Sequence, residues 1–305
     1  MPQLVNVALQ VHNNIYKNMN ELEWTGERLV TSVDNDFHLF EHLHRYAIAQ
    51  AIINGKIVLD IASGEGYGSY LLSKHAEFVF GVDIDEASVK HAQEKYATKR
   101  TNLTFKQGST SNIPLETGTV DLVVSFETIE HHDEHEQMIA EIKRVLKPGG
   151  LLVISSPNKT YYQKVVPNNP YHVKELEFEE FEAFMKSHFK HTAFYEQRYV
   201  AGSLITPIHT KATSFEAFDG DYDHITNALE EESYYNRHYY SMAICSNGDE
   251  ALPDITSFFN GVKAVLKQNT HYYNKGWRDV QKSTSFKLGN WIVTKLAFLK
   301  RGKGK

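Results

Sequence analysis

The chain has 305 residues, of which 41% are apolar and 23% charged, which is typical of a globular protein large enough for one domain with additions. The formal net charge of −6 argues against nucleic acid as a partner. A single cysteine excludes an internal disulfide framework and a cysteine-based zinc site. The sequence shows neither a secretory leader nor a run of about 20 apolar residues, so we expect a cytoplasmic protein.

Residues 1–37 are a polar lead-in, and after them the apolar residues recur with alternating helical and strand periods. Helices are predicted at 38–53, 67–74, 86–96, 135–146, 174–189, 254–268 and 286–299. Strands are predicted at 56–62, 78–82, 103–106, 120–126 and 151–155. Apolar strands that alternate with helices predict an α/β fold with a Rossmann-like, doubly wound, mainly parallel sheet. We expect this domain at 38–205, with N- and C-terminal helical additions, the latter at 206–305.

A glycine-rich turn follows the first predicted strand, which ends near Asp60. Gly64 and Gly66 let backbone N–H groups and the next helix N-terminus approach a ligand closely. Asp60 can accept hydrogen bonds from the turn amides or from a ligand ammonium group. A tight turn without a ligand is the alternative interpretation.

The second predicted strand ends at Asp83, 17 residues after Gly66. An acidic side chain at this place faces the crevice between strands and can accept both hydroxyls of a ribose. Capping of the next helix is the alternative role, and it suits Asp85 better. The two acidic strand ends and the turn together predict a ligand that contains ribose.

Three further features of the sequence narrow the identity of the cofactor. Gly64, Gly66 and Gly68 are spaced GxGxG rather than in the dinucleotide pattern GxGxxG. The segments FKQGSTSNIPL, VDLVVSFETIEHH and RVLKPGGLLVISSPN then follow in order. With this series, residues 56–158 resemble the class I S-adenosylmethionine (SAM)-dependent methyltransferases.

This resemblance implies SAM as the cofactor and assigns ten residues by position. Asp60, Ala62, Gly64 and Gly66 would surround the methionine part, Asp83 the ribose, Ile84 the adenine, Ser109 and Thr110 the adenine edge, and Phe126 and Glu127 the floor beside the sulfonium. Ala62 stands where the family usually has glycine. Ser109 stands where many members have aspartate, which implies weaker binding of the adenine amino group.

The flanking segments resemble bacterial methyltransferases found with glycan and surface-polysaccharide synthesis. The matching segments are TGERLV, EHLHRYAIA, FETIEHH, SPNKTYY, NPYHVKEL and YEQRYVAGSLI. This resemblance implies O-methylation of a sugar or glycan-related acceptor. The alternatives are a small-molecule or quinone-like acceptor, a nicotinamide-dependent oxidoreductase of similar fold, and a non-catalytic SAM-binding scaffold.

The histidines near the fourth strand have two interpretations. His131, His132, Asp133 and His135 are nearly consecutive, so their side chains should radiate in different directions, and we expect no metal site there. Asp133 would instead cap the following helix between exposed histidines. His131, His132 and His172 are candidates for the general base that deprotonates an acceptor hydroxyl.

The C-terminal segment 286–305 is basic and carries no acidic residue. Its leucines and Trp291 recur at helical spacing. This helix either packs on the core or on a second subunit, which would make a homodimer, or lies on an anionic membrane. The membrane alternative would place the protein peripherally at the inner face.

Overall fold

The computed structural model describes residues 22, 38–199, 219–220, 222, 225–226, 239–249 and 251–291. The chain divides into a first unit that ends at Ser257 and a second that begins at Phe258. The helices are α1 (His38–Ala51), α2 (Tyr67–Leu72), α3 (Glu86–Lys95), α4 (His135–Val145), α5 (Lys159–Val165), α6 (Phe178–His188) and α7 (Val262–Lys282). The strands are β1 (Ile57–Ile61), β2 (Phe78–Asp83), β3 (Leu103–Gln107), β4 (Val120–Ser125), β5 (Leu146–Pro157), β6 (His191–Gln197), β7 (Asp219–Gly220), β8 (Ile225–Thr226) and β9 (Tyr240–Ser246).

Seven strands form one sheet in the order β3-β2-β1-β4-β5-β9-β6. Neighbouring strands from β3 to β5 pair in parallel, whereas β9 is antiparallel to both β5 and β6. The strand order reverses between β1 and β4, which is where open α/β sheets bind ligands at the carboxyl ends of their strands. The predicted Rossmann-like, mainly parallel fold is confirmed.

Two apolar clusters cover the two faces of the sheet. Alternate residues of β1 fall into different clusters: Leu59 belongs to one, Val58 to the other. The first cluster takes in α4 and α6, and the second takes in α1, α2 and α3. Burial on both faces explains why these strands are apolar throughout rather than alternating.

The sheet extends further along the chain than its predicted limit at residue 205. Strands β6 and β9 were not predicted, although every residue of β9 is buried. The two strands pair between segments far apart in the sequence, and β6 carries polar residues without a clear alternation. Strand β9, the last strand of this sheet along the chain, therefore lies in the segment 206–305 that we expected to be a helical extension.

The predicted helix at 254–268 is wrong at its beginning, because residues 251–260 are not helical. Leu252 and Ile255 instead pack against the core cluster of the first unit. Helix α7 begins only after Asn260, whose Oδ1 accepts the Val262 N–H at 3.1 Å.

Residues 284–291 are helical, in part of the predicted helix at 286–299. The predicted lead-in at 1–37, apart from Leu22, and the end of the basic tail at 292–305 lie outside the described residues. None of the helices in the described part of the chain combines the length and the apolarity that a bilayer span requires.

Candidate cofactor and acceptor site

Asp60 lies buried at the carboxyl end of β1. Its carboxylate accepts hydrogen bonds from the Ser69 hydroxyl at 2.6 Å and from the Tyr46 hydroxyl at 3.3 Å. The turn amide of Gly64 donates to Asp83 and not, as one alternative expected, to Asp60. Burial raises the pKa of Asp60 to about 7, although the bonds from Ser69 and Tyr46 oppose the rise.

The turn after β1 requires left-handed backbone at three positions. Ala62, Gly64 and Gly66 have φ angles of 60°, 54° and 91°. Glycine adopts this conformation freely, whereas Ala62 holds it with strain. Gly66 is also required by packing, because a side chain there would overlap Ala92 and Phe105.

Asp83 ties the turn to the end of β2. Its Oδ2 accepts the Gly64 N–H at 2.7 Å and its Oδ1 accepts the Asp85 N–H at 3.0 Å. An ionised carboxylate offers about four acceptor positions, so two such bonds leave capacity for ribose hydroxyls. Asp85 caps α3 through bonds from the Ala87 and Ser88 amides, as predicted.

The residues predicted to surround an adenine follow the carboxyl ends of β2 and β3. The Ile84 side chain is 71% exposed beside Asp83, which suits an apolar platform for a base. Ser109 and Thr110 follow β3, and the Thr110 hydroxyl lies 3.3 Å from His132 Nε2. This contact connects the loop after β3 with the loop after β4. The cofactor contacts of Asp83, Ile84, Ser109 and Thr110 stay predictions.

Phe126 and Glu127 follow β4. Glu127 has a φ of 50°, and its Oε1 accepts the Ser155 hydroxyl at 2.6 Å. Burial raises the pKa of Glu127, while Arg45 and, more weakly, His131 lower it. The carboxylate is therefore held at the edge of the crevice by groups from α1 and β5.

Arg45 is a site residue that the sequence interpretation missed. Its side chain is 1% exposed, its Nη1 donates to Gln197 at 2.8 Å, and it lies 3.6 Å from Glu127 Oε1. The guanidinium also lies over the Tyr240 ring at 4.7 Å. Its Nε and Nη2 have no hydrogen-bond partner among the described residues.

The histidines after β4 separate into two directions. The His131 Nδ1 lies 3.0 Å from the Tyr171 carbonyl, and its ring contacts the His172 ring with centroids 5.1 Å apart. His132 turns instead toward Thr110, and burial lowers its pKa. The side chains thus radiate as predicted, and of the three candidate bases His131 and His172 come together.

The expected cap at Asp133 is wrong. Helix α4 follows Glu134 without a side-chain cap, and His135 is buried rather than exposed. Its Nε2–H donates to the His132 carbonyl at 2.8 Å, which fastens the loop to the helix. The hydrogen bond from the buried His135 ring therefore holds the beginning of α4, where the sequence predicted a cap from Asp133.

Comparisons with known proteins concern the same part of the chain. Residues 59–154 match the family described as "Methyltransferase domain". A "probable S-adenosylmethionine-dependent methyltransferase" of Mycolicibacterium smegmatis is 35% identical over 158 residues, 51% of this chain and 60% of its own. A "Ubiquinone biosynthesis O-methyltransferase" of Coxiella burnetii is 28% identical over 117 residues, 38% of this chain and 50% of its own.

One solved structure has the same fold over most of the chain. It is a chain of the Haloferax volcanii complex between the Trm112 methyltransferase activator and the protein described there as a methyltransferase. The TM-score is 0.52 at 20% identity, and the match covers 72% of this chain and 92% of that one. The chain spans 60% and 50% of the lengths of the two curated relatives. Residues 59–154 therefore match a methyltransferase domain, and this match together with the named relatives implies SAM as the cofactor.

Proposed function

We propose that this protein is a SAM-dependent methyltransferase that methylates a hydroxyl oxygen. The observation that carries the proposal is the crevice at the carboxyl ends of β1 and β2. It brings the buried Asp60, the left-handed turn, Asp83 and the exposed Ile84 together within the region that matches the methyltransferase domain.

The residues present fit this cofactor. Bound SAM supplies a methyl group on a positively charged sulfur. Asp83 would accept hydrogen bonds from the ribose hydroxyls, and Ile84 would cover one face of the adenine. Holding donor and acceptor in line for displacement contributes a large part of the rate in such reactions.

A sugar or glycan-related molecule is the acceptor that we propose. The support is the resemblance of the segments that flank the matched region, among them NPYHVKEL, which contains His172. A quinone-like acceptor is the second candidate, since a relative of Coxiella burnetii carries the name of a ubiquinone O-methyltransferase. A screen of nucleotide sugars, lipid-linked glycans and quinone-type phenols with isotope-labelled SAM, read by mass spectrometry, distinguishes the two classes.

A general base among His131, His132 and His172 remains part of the proposal. Removing such a base typically lowers the rate by about 10²–10⁴-fold. Single alanine variants at the three positions, assayed with the acceptor from the screen, identify it. Unchanged kcat in all three would assign proton removal to another group.

Calorimetry with SAM and with S-adenosylhomocysteine tests the cofactor proposal before any acceptor is known. We expect both to bind with 1:1 stoichiometry. Absence of heat with both ligands would end the methyltransferase proposal. Binding of SAM without turnover of any acceptor would favour the non-catalytic scaffold.

For the basic tail at 286–305 we propose the same two alternative roles as above, which are packing on protein and binding to an anionic membrane. Within the second unit, Leu288 and Trp291 are exposed, as either a membrane or a protein partner requires. Flotation with anionic liposomes, with and without residues 280–305, separates the roles. Equal flotation of both proteins would leave packing on the core or on a second subunit as the role of the tail.

A further inference from the structure

Glu130, His131 and His172 form a cluster beside the candidate acceptor side of the crevice. Each offers one ligand atom, and these atoms all lie within 4.8 Å of one another. Glu130 and His131 belong to a single 3-10 turn after β4, whereas His172 lies on the loop between α5 and α6. The two segments are fastened together, because the Glu130 carbonyl accepts the backbone N–H groups of Val173 and Lys174 at 2.8 and 3.0 Å.

Both histidines are oriented by a second bond. The Nδ1 of His131 faces the Tyr171 carbonyl at 3.0 Å, and a carbonyl only accepts, so Nδ1 carries the proton. The Nδ1 of His172 lies 2.6 Å from the Glu175 carboxylate, in a pair that is almost fully buried. In each ring, Nε2 is then the nitrogen that would coordinate an ion. Histidine ligands of metals are held in this way by a carbonyl or a carboxylate on the other nitrogen.

We propose that Glu130, His131 and His172 bind a divalent transition-metal ion, with Zn²⁺ and Mn²⁺ as the ions that suit two imidazoles and one carboxylate. Ligands that share a cation at about 2.1 Å lie roughly 3–4 Å from one another, so small side-chain rotations close the site. Three protein ligands leave coordination positions open, which is the arrangement of catalytic rather than structural metal sites.

The role of the ion rests on the proposed function, and with the ion bound His131 and His172 act as ligands and not as the general base. An acceptor hydroxyl that coordinates the ion loses its proton more readily, and the proton passes to water. The resulting oxygen forms a bond to the methyl carbon as the carbon–sulfur bond breaks. The electron pair of that bond stays on sulfur, which gives S-adenosylhomocysteine and the methyl ether. The ion would also hold a second oxygen of the acceptor, which favours acceptors with neighbouring hydroxyl groups.

This site differs from the histidine cluster considered in the sequence. His132 and His135 point away, toward Thr110 and into the core, so the consecutive histidines do not bind one ion. The third ligand comes instead from His172, on a loop far along the chain. Glu127, the residue predicted beside the sulfonium, lies just before the 3-10 turn that carries His131.

Metal binding is tested directly on the untagged, full-length protein. After treatment with EDTA and dialysis, ZnCl₂, MnCl₂ and MgCl₂ are titrated separately by calorimetry. We expect one ion per chain, with Zn²⁺ or Mn²⁺ binding more tightly than Mg²⁺. His172→Gln should weaken binding at least roughly 100-fold, and Glu175→Gln should weaken it about 10- to 100-fold because it only orients a ligand. His132→Gln on the same loop as His131 is the matched control, and its metal affinity should not change.

SAM binding, measured in the same preparations, separates misfolding from loss of the metal site. A His172→Gln protein that binds SAM normally but no longer binds the ion supports the proposal. Absence of binding of all three ions to the native protein, or unchanged affinity in both His172→Gln and Glu130→Gln, would overturn it. If the native protein binds the ion but neither SAM nor S-adenosylhomocysteine, the proposed function fails and the metal site stands.

Discussion

The cofactor side and the acceptor side of the crevice are built from contacts of very different reach along the chain. On the cofactor side, Asp60 bonds to a hydroxyl nine residues away, and Asp83 to an amide 19 residues away. On the acceptor side, His131 bonds across 40 residues and Arg45 across 152. The cofactor-binding turn is thus determined by residues close together in the sequence. The acceptor side forms only when residues far apart in the sequence come together in the folded protein.

The two sides also differ in how their buried charges are satisfied. Asp60 is held by the hydroxyl donors of Tyr46 and Ser69 rather than by a cation of the described residues, so burial raises its pKa to about 7. Glu127 has a buried cation, Arg45, at 3.6 Å. Breaking the Arg45–Glu127 pair should therefore lower the stability of the fold, whereas changes at Asp60 and Asp83 should act mainly on pH dependence and on ligand binding.

The largest expected effect is that of Arg45→Ala. It leaves Glu127 without its buried counter-charge, and breaking a buried ion pair costs about 3–5 kcal/mol of unfolding free energy. Urea denaturation measures the loss. Arg198→Ala is the matched control, because the pair of Arg198 with Glu196 lies nearer the surface and should contribute at most about 1 kcal/mol.

The double variant Arg45→Met with Glu127→Gln separates charge from packing. Replacing both members of a buried pair by neutral groups of similar volume is often neutral or stabilising. We therefore expect it to recover most of the stability that Arg45→Ala loses. A double variant as unstable as Arg45→Ala would show that packing of the arginine, not its charge, supports the acceptor side.

The pH dependence of stability should differ between native protein and Asp60→Asn. The pKa of Asp60 rises on folding from its ordinary 3.8 to about 7, so its contribution is fully present below pH 3.8 and is lost as pH rises through 7. Without ligand, the native protein should lose up to about 4 kcal/mol relative to Asp60→Asn between roughly pH 4 and 8. Urea unfolding of both proteins at several pH values measures this difference. A constant difference would contradict the raised pKa.

Asp83→Ala should lower the affinity for SAM, because a lost hydrogen bond to a charged acceptor costs about 1.5–3 kcal/mol. The expected weakening is at least roughly 10-fold and is measured by calorimetry. Asp85→Ala is the control, since Asp85 caps α3 and should cost about 1 kcal/mol of stability with little change in affinity. Equal weakening in both variants would assign the loss to the turn and not to the ribose.

These two sides also show how much the sequence could predict. The five parallel strands, the turn, the position of Asp83 at the end of β2 and the capping role of Asp85 were predictable because each depends on neighbouring residues. Strand β9 was not, because its pairing with β5 joins Leu151 to Ser246, segments far apart in the chain. Arg45 gave one usable signal: a charged residue on the apolar face of a predicted helix. No spacing rule links it to Glu127, so its role needed the structure.

The same limit applies to the metal ligands. The sequence places Glu130 and His131 side by side, but nothing local connects them to His172. The connection comes from backbone bonds between the turn after β4 and the loop before α6. The sequence analysis expected no metal site among the consecutive histidines, and it could not pair His131 with a ligand from a distant loop.

The smallest expected effect is on the cofactor side, at Ala62. Its φ of 60° costs roughly 1–2 kcal/mol for a residue with a side chain, and glycine removes that strain. Glycine also gains freedom in the unfolded chain, which returns about 0.4–1 kcal/mol. Ala62→Gly should thus stabilise the protein by roughly 0–1.6 kcal/mol, measured by urea unfolding. Asn168→Gly, at a similar φ of 56° on an exposed loop, should gain less because asparagine tolerates this conformation. If Ala62→Gly instead destabilises the protein, the turn draws support from the alanine side chain, and strain on the cofactor side is smaller than its backbone indicates.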